Sequence, residues 1–456
     1  MNKKATIYDL VIRGNLVLPD TVAYGAQLAV KDGVIDGVFD GAEELAAGKT
    51  VDASGCFVLP GAIDAHVHCF SSLAEGFTNA TNAAACGGVT TVIEMPYDAD
   101  GMICTEQLFT NKKKRMEGRI VTDMALLATI KNAADGLSEI DGIVREGACG
   151  FKMSMFNTNA VRFPKIEDSL MFEAFCKISE KKLPVGLHAE NDGMVRHFIE
   201  LQRPRGTEDP KSHCLSRPKV TECTAVALAM ELGLYSGVKL HIYHGSFPHI
   251  FEIVNSYKAQ GAHVTAETCP HYLCFHSGDM DRLGARIKIN PPVREESDCN
   301  GLWNMLARDA IDIVTSDHAP WTPDKKSKPD IFENASGAPG VETLLPVLYS
   351  EGVAKGRLTV TQLARHLSAR PAEIFGLDYC KGSLEKGKDA DLAILDPSQS
   401  HVLDETKLHS SAMWSPYNGF QLQGAVTQTY VRGNCVYYDG TLSNKKTGRF
   451  VPAKHR

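Results

Sequence analysis

Val58-Leu59-Pro60-Gly61-Ala62-Ile63-Asp64-Ala65-His66-Val67-His68 is an apolar run that ends in two histidines two residues apart. Side chains of an extended strand alternate faces, so His66 and His68 point the same way at its C-terminal end. Two imidazoles side by side at a strand terminus are half of a metal site. A lone histidine there would be read as a loop cap or a packed core residue. A pair, followed by further ligand-type residues at later strand ends, reads as metal-binding.

Working upstream, residues 6–58 read as short strands. Tyr8–Leu18 opens the series, and Ala26–Ile35 reads as two strands joined by a tight Asp32-Gly33 turn. Downstream the pattern changes to strands alternating with helices. Strands are predicted over 88–95, 121–129, 148–155, 184–190, 239–245, 263–273 and 312–320, with helices over 169–181, 221–234 and 249–260 between them. With the strand at 58–68 this makes eight, the pattern of a parallel (β/α)8 TIM barrel. A doubly wound sheet is the alternative, but no Gly-x-Gly-x-x-Gly follows an early strand. After a helix around Val360–Phe375, strand character returns at Gly387–Leu395 and Gly424–Tyr438, with Arg432-Gly433-Asn434 as a turn. The expected organisation is therefore residues 1–57 as the N-terminal part of a small β-sandwich, 58–385 as the barrel, and 386–456 as the C-terminal part of the sandwich. The polar stretch Thr441–Arg456 is expected to be an extended tail or an arm on a neighbouring subunit.

A chain of 456 residues suits a barrel of this kind with additions. Its net charge of −7 and pI of ≈ 6.2 leave no footprint for nucleic acid or an anionic membrane. The runs Lys112–Arg115 and Lys325-Lys326 read as solvated surface. No apolar run reaches membrane-spanning length and the N-terminus lacks a secretory core, so a cytoplasmic location is expected. The 13 cysteines are scattered, without a Cys-x-x-Cys pair, and read as reduced thiols.

Active sites of such barrels gather at the C-terminal strand ends. The first strand offers His66 and His68, the fourth Lys152, the fifth His188, the sixth His244 or His241, and the eighth Asp317. Alternation puts His241 and His244 on opposite faces, and His244 lies nearer the strand end. Four imidazoles and a carboxylate exceed the needs of one tetrahedral zinc but suit two metals sharing a bridge. An ammonium at Lys152 would be repelled by two dications. The expectation is carbamylation: the neutral amine adds carbon dioxide and becomes an anionic bridge, N6-carboxylysine.

These motifs, with Gly87-Gly88-Val89-Thr90-Thr91, Gly150-Phe151-Lys152, His188-Ala189-Glu190-Asn191, Glu267-Thr268-Cys269-Pro270-His271-Tyr272, Pro291-Pro292-Val293-Arg294, Ser316–Pro320 and Gly387–Asp391, fall in one order along nearly the whole chain. The chain thereby resembles the cyclic amidohydrolases of the amidohydrolase superfamily, the group holding allantoinase, hydantoinase, dihydropyrimidinase and dihydroorotase. The resemblance implies that His66, His68 and Asp317 hold one metal, His188 and His244 the other, and carbamylated Lys152 bridges them. Zinc is the default, with manganese, cobalt or iron as alternatives. It further implies that the shared water is acidified to hydroxide, that Asp317 takes its proton and passes it to the leaving nitrogen, and that a cyclic ureide or imide is opened. The family's habit is a homotetramer or dimer.

Departures from the family lie in the pocket. Dihydroorotases carry an arginine where this chain has Phe70, which disfavours dihydroorotate. Hydantoinases and dihydropyrimidinases place an oxyanion-stabilising tyrosine where this chain has Asn157; the tyrosine's role does not carry over, but the Asn157 amide can donate a hydrogen bond and is expected among the substrate contacts. Asn290, before Pro291-Pro292, and Ser336-Gly337 resemble the family's contacts to the cyclic imide or ureide. Allantoin and 5-substituted hydantoins are the expected substrates, dihydropyrimidines or a metal-free scaffold the alternatives. His271, His318, Glu94 and Glu190 adjoin the site as orienting or packing residues. His197, His213, His249 and His276 read as surface or loop residues, and Trp321 either lines the pocket mouth or, the commoner case for an aromatic there, packs under a loop.

Overall fold

The computed structural model describes residues 7–98, 101–133 and 135–454. Eight parallel strands, Ala62–Val67, Val89–Glu94, Asp123–Ala128, Gly150–Ser154, Pro184–His188, Lys239–Ile242, Val264–Thr268 and Ile313–Val314, lie side by side in chain order. The ring closes where Val67 pairs with His318: the His68 amide donates to the His318 carbonyl at 2.9 Å and the His318 amide to the His66 carbonyl at 3.2 Å. The fold is the expected TIM barrel. All six residues of each of the first three strands are buried, as befits a parallel sheet covered on both faces. The helices Asp168–Ser179, Lys219–Ser236 and Pro248–Ala259 fall within two residues of their predicted bounds.

The last two barrel strands are much shorter than expected, and one predicted helix is broken. The seventh strand stops at Thr268, because Pro270 at the first turn starts a short helix, Pro270–Cys274. The eighth is Ile313–Val314 alone, and residues beyond it form the barrel mouth. The helix expected over 360–375 is split by a π-helical stretch, Arg365–Ala369, before Arg370–Ile374. Pro371 has no N–H to donate to the preceding turn, which accounts for the break.

Both chain ends build the second unit, one eight-stranded sheet. Its keystone is the long strand Ala47–Pro60, parallel to Tyr8–Val17 along most of its length and antiparallel to Leu392–Val402 at its end. Leu28 and Val30 share one buried cluster with Leu392, Ile394 and Tyr430, so the sheet encloses a core of its own. Asp32-Gly33 (φ 52° and 77°) and Arg432-Gly433 (φ 46° and 72°) make the left-handed two-residue turns that suit hairpins. Gly61 hands the chain from sheet to barrel; a Cβ there would lie 2.1 Å from Thr90 Oγ1.

Two surface expectations are corrected. Residues 447–454 do not leave the molecule: the Gly448 amide donates to Ile120 O, the Val451 amide to Met124 O at 2.9 Å, and the Lys454 amide to Gly376 O at 2.8 Å. The end of the chain is thus strapped across its own barrel floor; Arg456 lies outside the described residues. The basic runs are solvated only in part: Lys114 and Lys325 are exposed, but one lysine of each run is buried. Lys112 is fully buried, paired with Glu94 and donating to Met95 O at 2.9 Å. Lys326 is buried with its ammonium donating to the carbonyls of Lys288, Ala335 and Gly337 at 3.1, 2.9 and 2.7 Å. In each run one side chain turns inward to tie loops around the mouth.

Candidate metal centre

His66 and His68 leave the first strand on the same side, and His66 is pinned from behind. Its Nδ1 lies 2.6 Å from Glu267 Oε1, which fixes the ring and leaves Nε2 facing the barrel axis. There Nε2 meets Lys152 Nζ at 2.6 Å, Asp317 Oδ1 at 3.1 Å and His68 Nε2 at 3.3 Å. Asp317 Oδ1 is 3.5 Å from His68 Nε2. The donor atoms of His66, His68 and Asp317 all lie within 4.8 Å of one another. On the other side of Lys152, His188 Nε2 lies 2.9 Å from Glu190 Oε2, which aims Nδ1 at His244 Nε2, 2.9 Å away. The His66 and His244 rings stack with centroids 5.4 Å apart.

Imidazole nitrogens and a carboxylate oxygen thus converge on one point of the barrel mouth, a donor set suited to a dication once the imidazole N–H groups turn away from it. His244 (φ 44°) and Asp317 (φ 47°) both sit in left-handed backbone just past their strands. Such conformations cost energy in non-glycine residues and collect at functional sites.

Burial drives the electrostatics. It pushes the imidazoles of His66 and His244 well below their ordinary range and that of His68 down to about 4, keeping them neutral and able to ligate. Burial also brings the Lys152 amine down to about 8, within reach of the neutral form. For Asp317, burial alone would raise the carboxyl; the His68 hydrogen bond and the nearby imidazoles and Lys152 hold it well below the usual range.

The expected residues occupy one pocket: His66, His68, Lys152, His188, His244, Asp317, Asn290, Ser336 and Gly337 all line it. Asn157 instead faces an adjoining lobe. The choice between the two histidines of the sixth strand falls on His244. His241 is held below the mouth by Thr265 Oγ1 at 2.8 Å and Glu267 Oε2 at 3.2 Å. Alternation was not the deciding rule, because the strand ends at Ile242 and the chain has turned by His244. Gly337, at φ 115°, has no room for a side chain, since a Cβ would lie 2.5 Å from that of Ala319.

Several neighbours differ from expectation. Trp321 lines the pocket and donates from Nε1 to Ser336 O at 2.8 Å, rather than packing under a loop. His213 is buried, with Nε2 2.8 Å from Ile289 O, not on the surface; His197 and His249 are exposed as expected. His318 is a positioning group: its Nδ1 accepts from the Gly340 amide at 3.0 Å and its Nε2 faces Glu75 at 3.3 Å. Glu94 pairs with Lys112. Two residues escaped sequence reasoning. Glu267 bridges His66 and His241, which the carboxylate-per-histidine habit of metal sites could have signalled. Tyr97 lines the pocket with its ring 5.9 Å from that of His68 and the Arg162 guanidinium 3.9 Å above it; no motif marks it.

The profile of the amidohydrolase family matches residues 57–436. The chain belongs to that family. Among this amidohydrolase's relatives, an allantoinase of Rubrobacter xylanophilus is 36% identical over 452 residues, covering 97% of both chains. An L-hydantoinase of Paenarthrobacter aurescens is 31% identical over 456 residues, covering 98% of this chain and 99% of the relative. The solved structure of the L-hydantoinase (dihydropyrimidinase) from Arthrobacter aurescens superposes with a TM-score of 0.94 at 32% identity, over 98% of this chain and all of the other. Among the described residues of this amidohydrolase, two further donor clusters exist: Cys86, Glu342 and His409, and Asp123, Asp389 and Asp391. In the first, the backbone amide and Nδ1 of His409 already occupy both Glu342 oxygens; in the second, Lys381 fills the centre.

Proposed function

We propose that this chain hydrolyses a ring amide of a cyclic ureide or imide, such as allantoin or a 5-substituted hydantoin. His66, His68 and Asp317 would hold one divalent ion, His188 and His244 a second, with Lys152 carbamylated between them. The observation that carries this reading is the convergence of six side chains from five strand ends on one pocket, with Lys152 Nζ at its centre 2.6 Å from His66 Nε2. An ammonium so placed would oppose any cation, whereas a carbamate supplies two anionic oxygens. When bound, such a pair of ions acidifies water and polarises a carbonyl; zinc is our first choice.

The chain's own groups do the rest. Asp317, kept ionised beside His68, accepts the proton of the attacking water and returns it to the leaving ring nitrogen. Tyr97, over the pocket beside His68, is our candidate to donate to the developing oxyanion in place of the tyrosine that Asn157 replaces. Asn290 and the Ser336-Gly337 backbone bind the ring amide, and Lys326 holds that backbone from below. Phe70, packed on Phe77 at 4.9 Å, lies outside the pocket lining, in keeping with a poor fit to dihydroorotate. We further propose a cytoplasmic homo-oligomer; all thirteen cysteines are free thiols, and among the described residues no helix is long and apolar enough to cross a membrane.

The test is a ring-opening assay on protein purified with divalent metal and bicarbonate, with allantoin, 5-substituted hydantoins, dihydrouracil and dihydroorotate as the panel. Opening of allantoin or hydantoins is expected. Preference for dihydrouracil would shift the reading to dihydropyrimidinase chemistry, and absence of turnover throughout would refute it.

A further inference from the structure

The metal pocket continues into a second lobe of about 360 Å³. The two share Tyr97, Thr158, Asn290, Trp321 and Ser336 as a common wall, so a substituent on a ring bound over the metals would point into it. The lobe is basic. Arg203, Arg217 and Lys288 line it, and among the described residues no Asp or Glu does. The carboxylates that touch these cations, Glu190 on Arg217 at 2.6 Å and Asp330 near Arg203 at 3.6 Å, are not part of the lining. Among the described residues, three basic side chains therefore stand against two carboxylates.

The cations also have donors to spare. Arg217 is 4% exposed, its guanidinium fixed 4.7 Å over the Phe156 ring, and its Nε has no partner. A buried guanidinium N–H without an acceptor is costly unless a ligand supplies one. Lys288 uses two of its three ammonium protons on the carbonyls of Phe332, at 3.2 Å, and Asn334. Arg203 lies across the Phe332 ring at 5.2 Å on the outer side. Burial and the two arginines push the Lys288 amine down to about 7, a penalty that an anion would relieve. His213, buried and neutral, adds no charge.

We propose that this lobe receives a carboxylate carried on the ring's substituent, making cyclic ureides with a short acidic arm the preferred substrate class. The planar fork of Arg217 and the point charge of Lys288 suit a carboxylate better than a neutral amide of the same shape. The proposal rests on the ring-opening reading above, and its test separates the two. The kcat/KM of the metal-loaded enzyme is measured on 5-(2-carboxyethyl)hydantoin and on its isosteric amide, 5-(2-carbamoylethyl)hydantoin. The acid is expected to win by about tenfold or more, the equivalent of one charge-assisted contact, and the preference is expected to shrink as salt rises. Arg203→Gln and, separately, Lys288→Met should each lower the acid-to-amide ratio. Equal or better turnover of the amide, or a ratio that neither variant moves, would overturn the proposal while leaving the ring-opening reading intact. If no cyclic amide is opened at all, that reading fails, and calorimetric binding of the same pair decides the lobe: tighter binding of the acid supports it, and indifference refutes it.

Discussion

Two buried lysines lie at opposite ends of the barrel, and their surroundings make them different groups. Lys152, at the mouth, lies 2.6 Å from His66 Nε2, and burial lowers its amine to about 8 although Asp317 and Glu267 pull it the other way. Lys381, at the floor, is gripped by Asp123, Asp389 and Asp391 at 2.6, 2.8 and 2.5 Å, which raise its amine above its ordinary range despite burial. Around it Arg432 pairs with Asp123, Arg449 lies 2.9 Å from Asp389, and the Arg432 amide donates to Asp391. This floor cluster ties the third barrel strand, the small sheet and the chain's end into one block. A lysine saturated by carboxylates is locked as a cation and serves the fold. One beside an imidazole nitrogen, with burial outweighing its carboxylate neighbours, can surrender its proton. The division matches the barrel rule that chemistry sits at the C-terminal face and stability at the other.

That contrast is open to three tests. The largest effect belongs to the mouth. Lys152→Ala should cut kcat by about a thousandfold or more, partly restored by a short carboxylic acid, with circular dichroism and the unfolding midpoint nearly unchanged. Full activity would put Lys152 in the structural class with Lys381. Next, Lys381→Met should leave three buried carboxylates underpaired and cost about 3–5 kcal/mol in urea unfolding, while the folded fraction keeps its turnover number. The smallest effect is in acid. Burial would raise the Asp123 carboxyl, but Lys381 and Arg432 hold it below its ordinary 3.8. Its contribution is therefore present above about pH 4 and lost as pH falls through the depressed folded value. Asp123→Asn should be less stable than the parent at pH 7, with the difference narrowing toward pH 2 in thermal melts. A difference independent of pH would mean the charge is not what matters there.

The mouth was legible in the sequence and the floor was not, for physical reasons. Ligands at strand ends recur with strand spacing, so His66, His68, Lys152, His188, His244 and Asp317 stand out in order. The strands themselves are apolar runs with β-branched residues, and their period survives any loop. The floor cluster joins Asp389 and Asp391 of the Gly387–Asp391 motif to residues 123, 381, 432 and 449, which no motif marks, and only the fold brings them together. Lys112 and Lys326 were hidden by neighbours: a run of cations looks solvated although one member per turn faces inward. Tyr97 carries no motif, and the Arg203–Arg217–Lys288 lobe is assembled from two connections, one after the fifth barrel strand and one after the seventh.

The most direct test of the central claim is the metal content of protein prepared with divalent metal and bicarbonate, measured by elemental analysis in the parent and in Lys152→Ala. Two ions per chain in the parent and a clear loss in the variant are predicted. Two ions in both would contradict the bridging lysine, and none in the parent would contradict the metal centre itself.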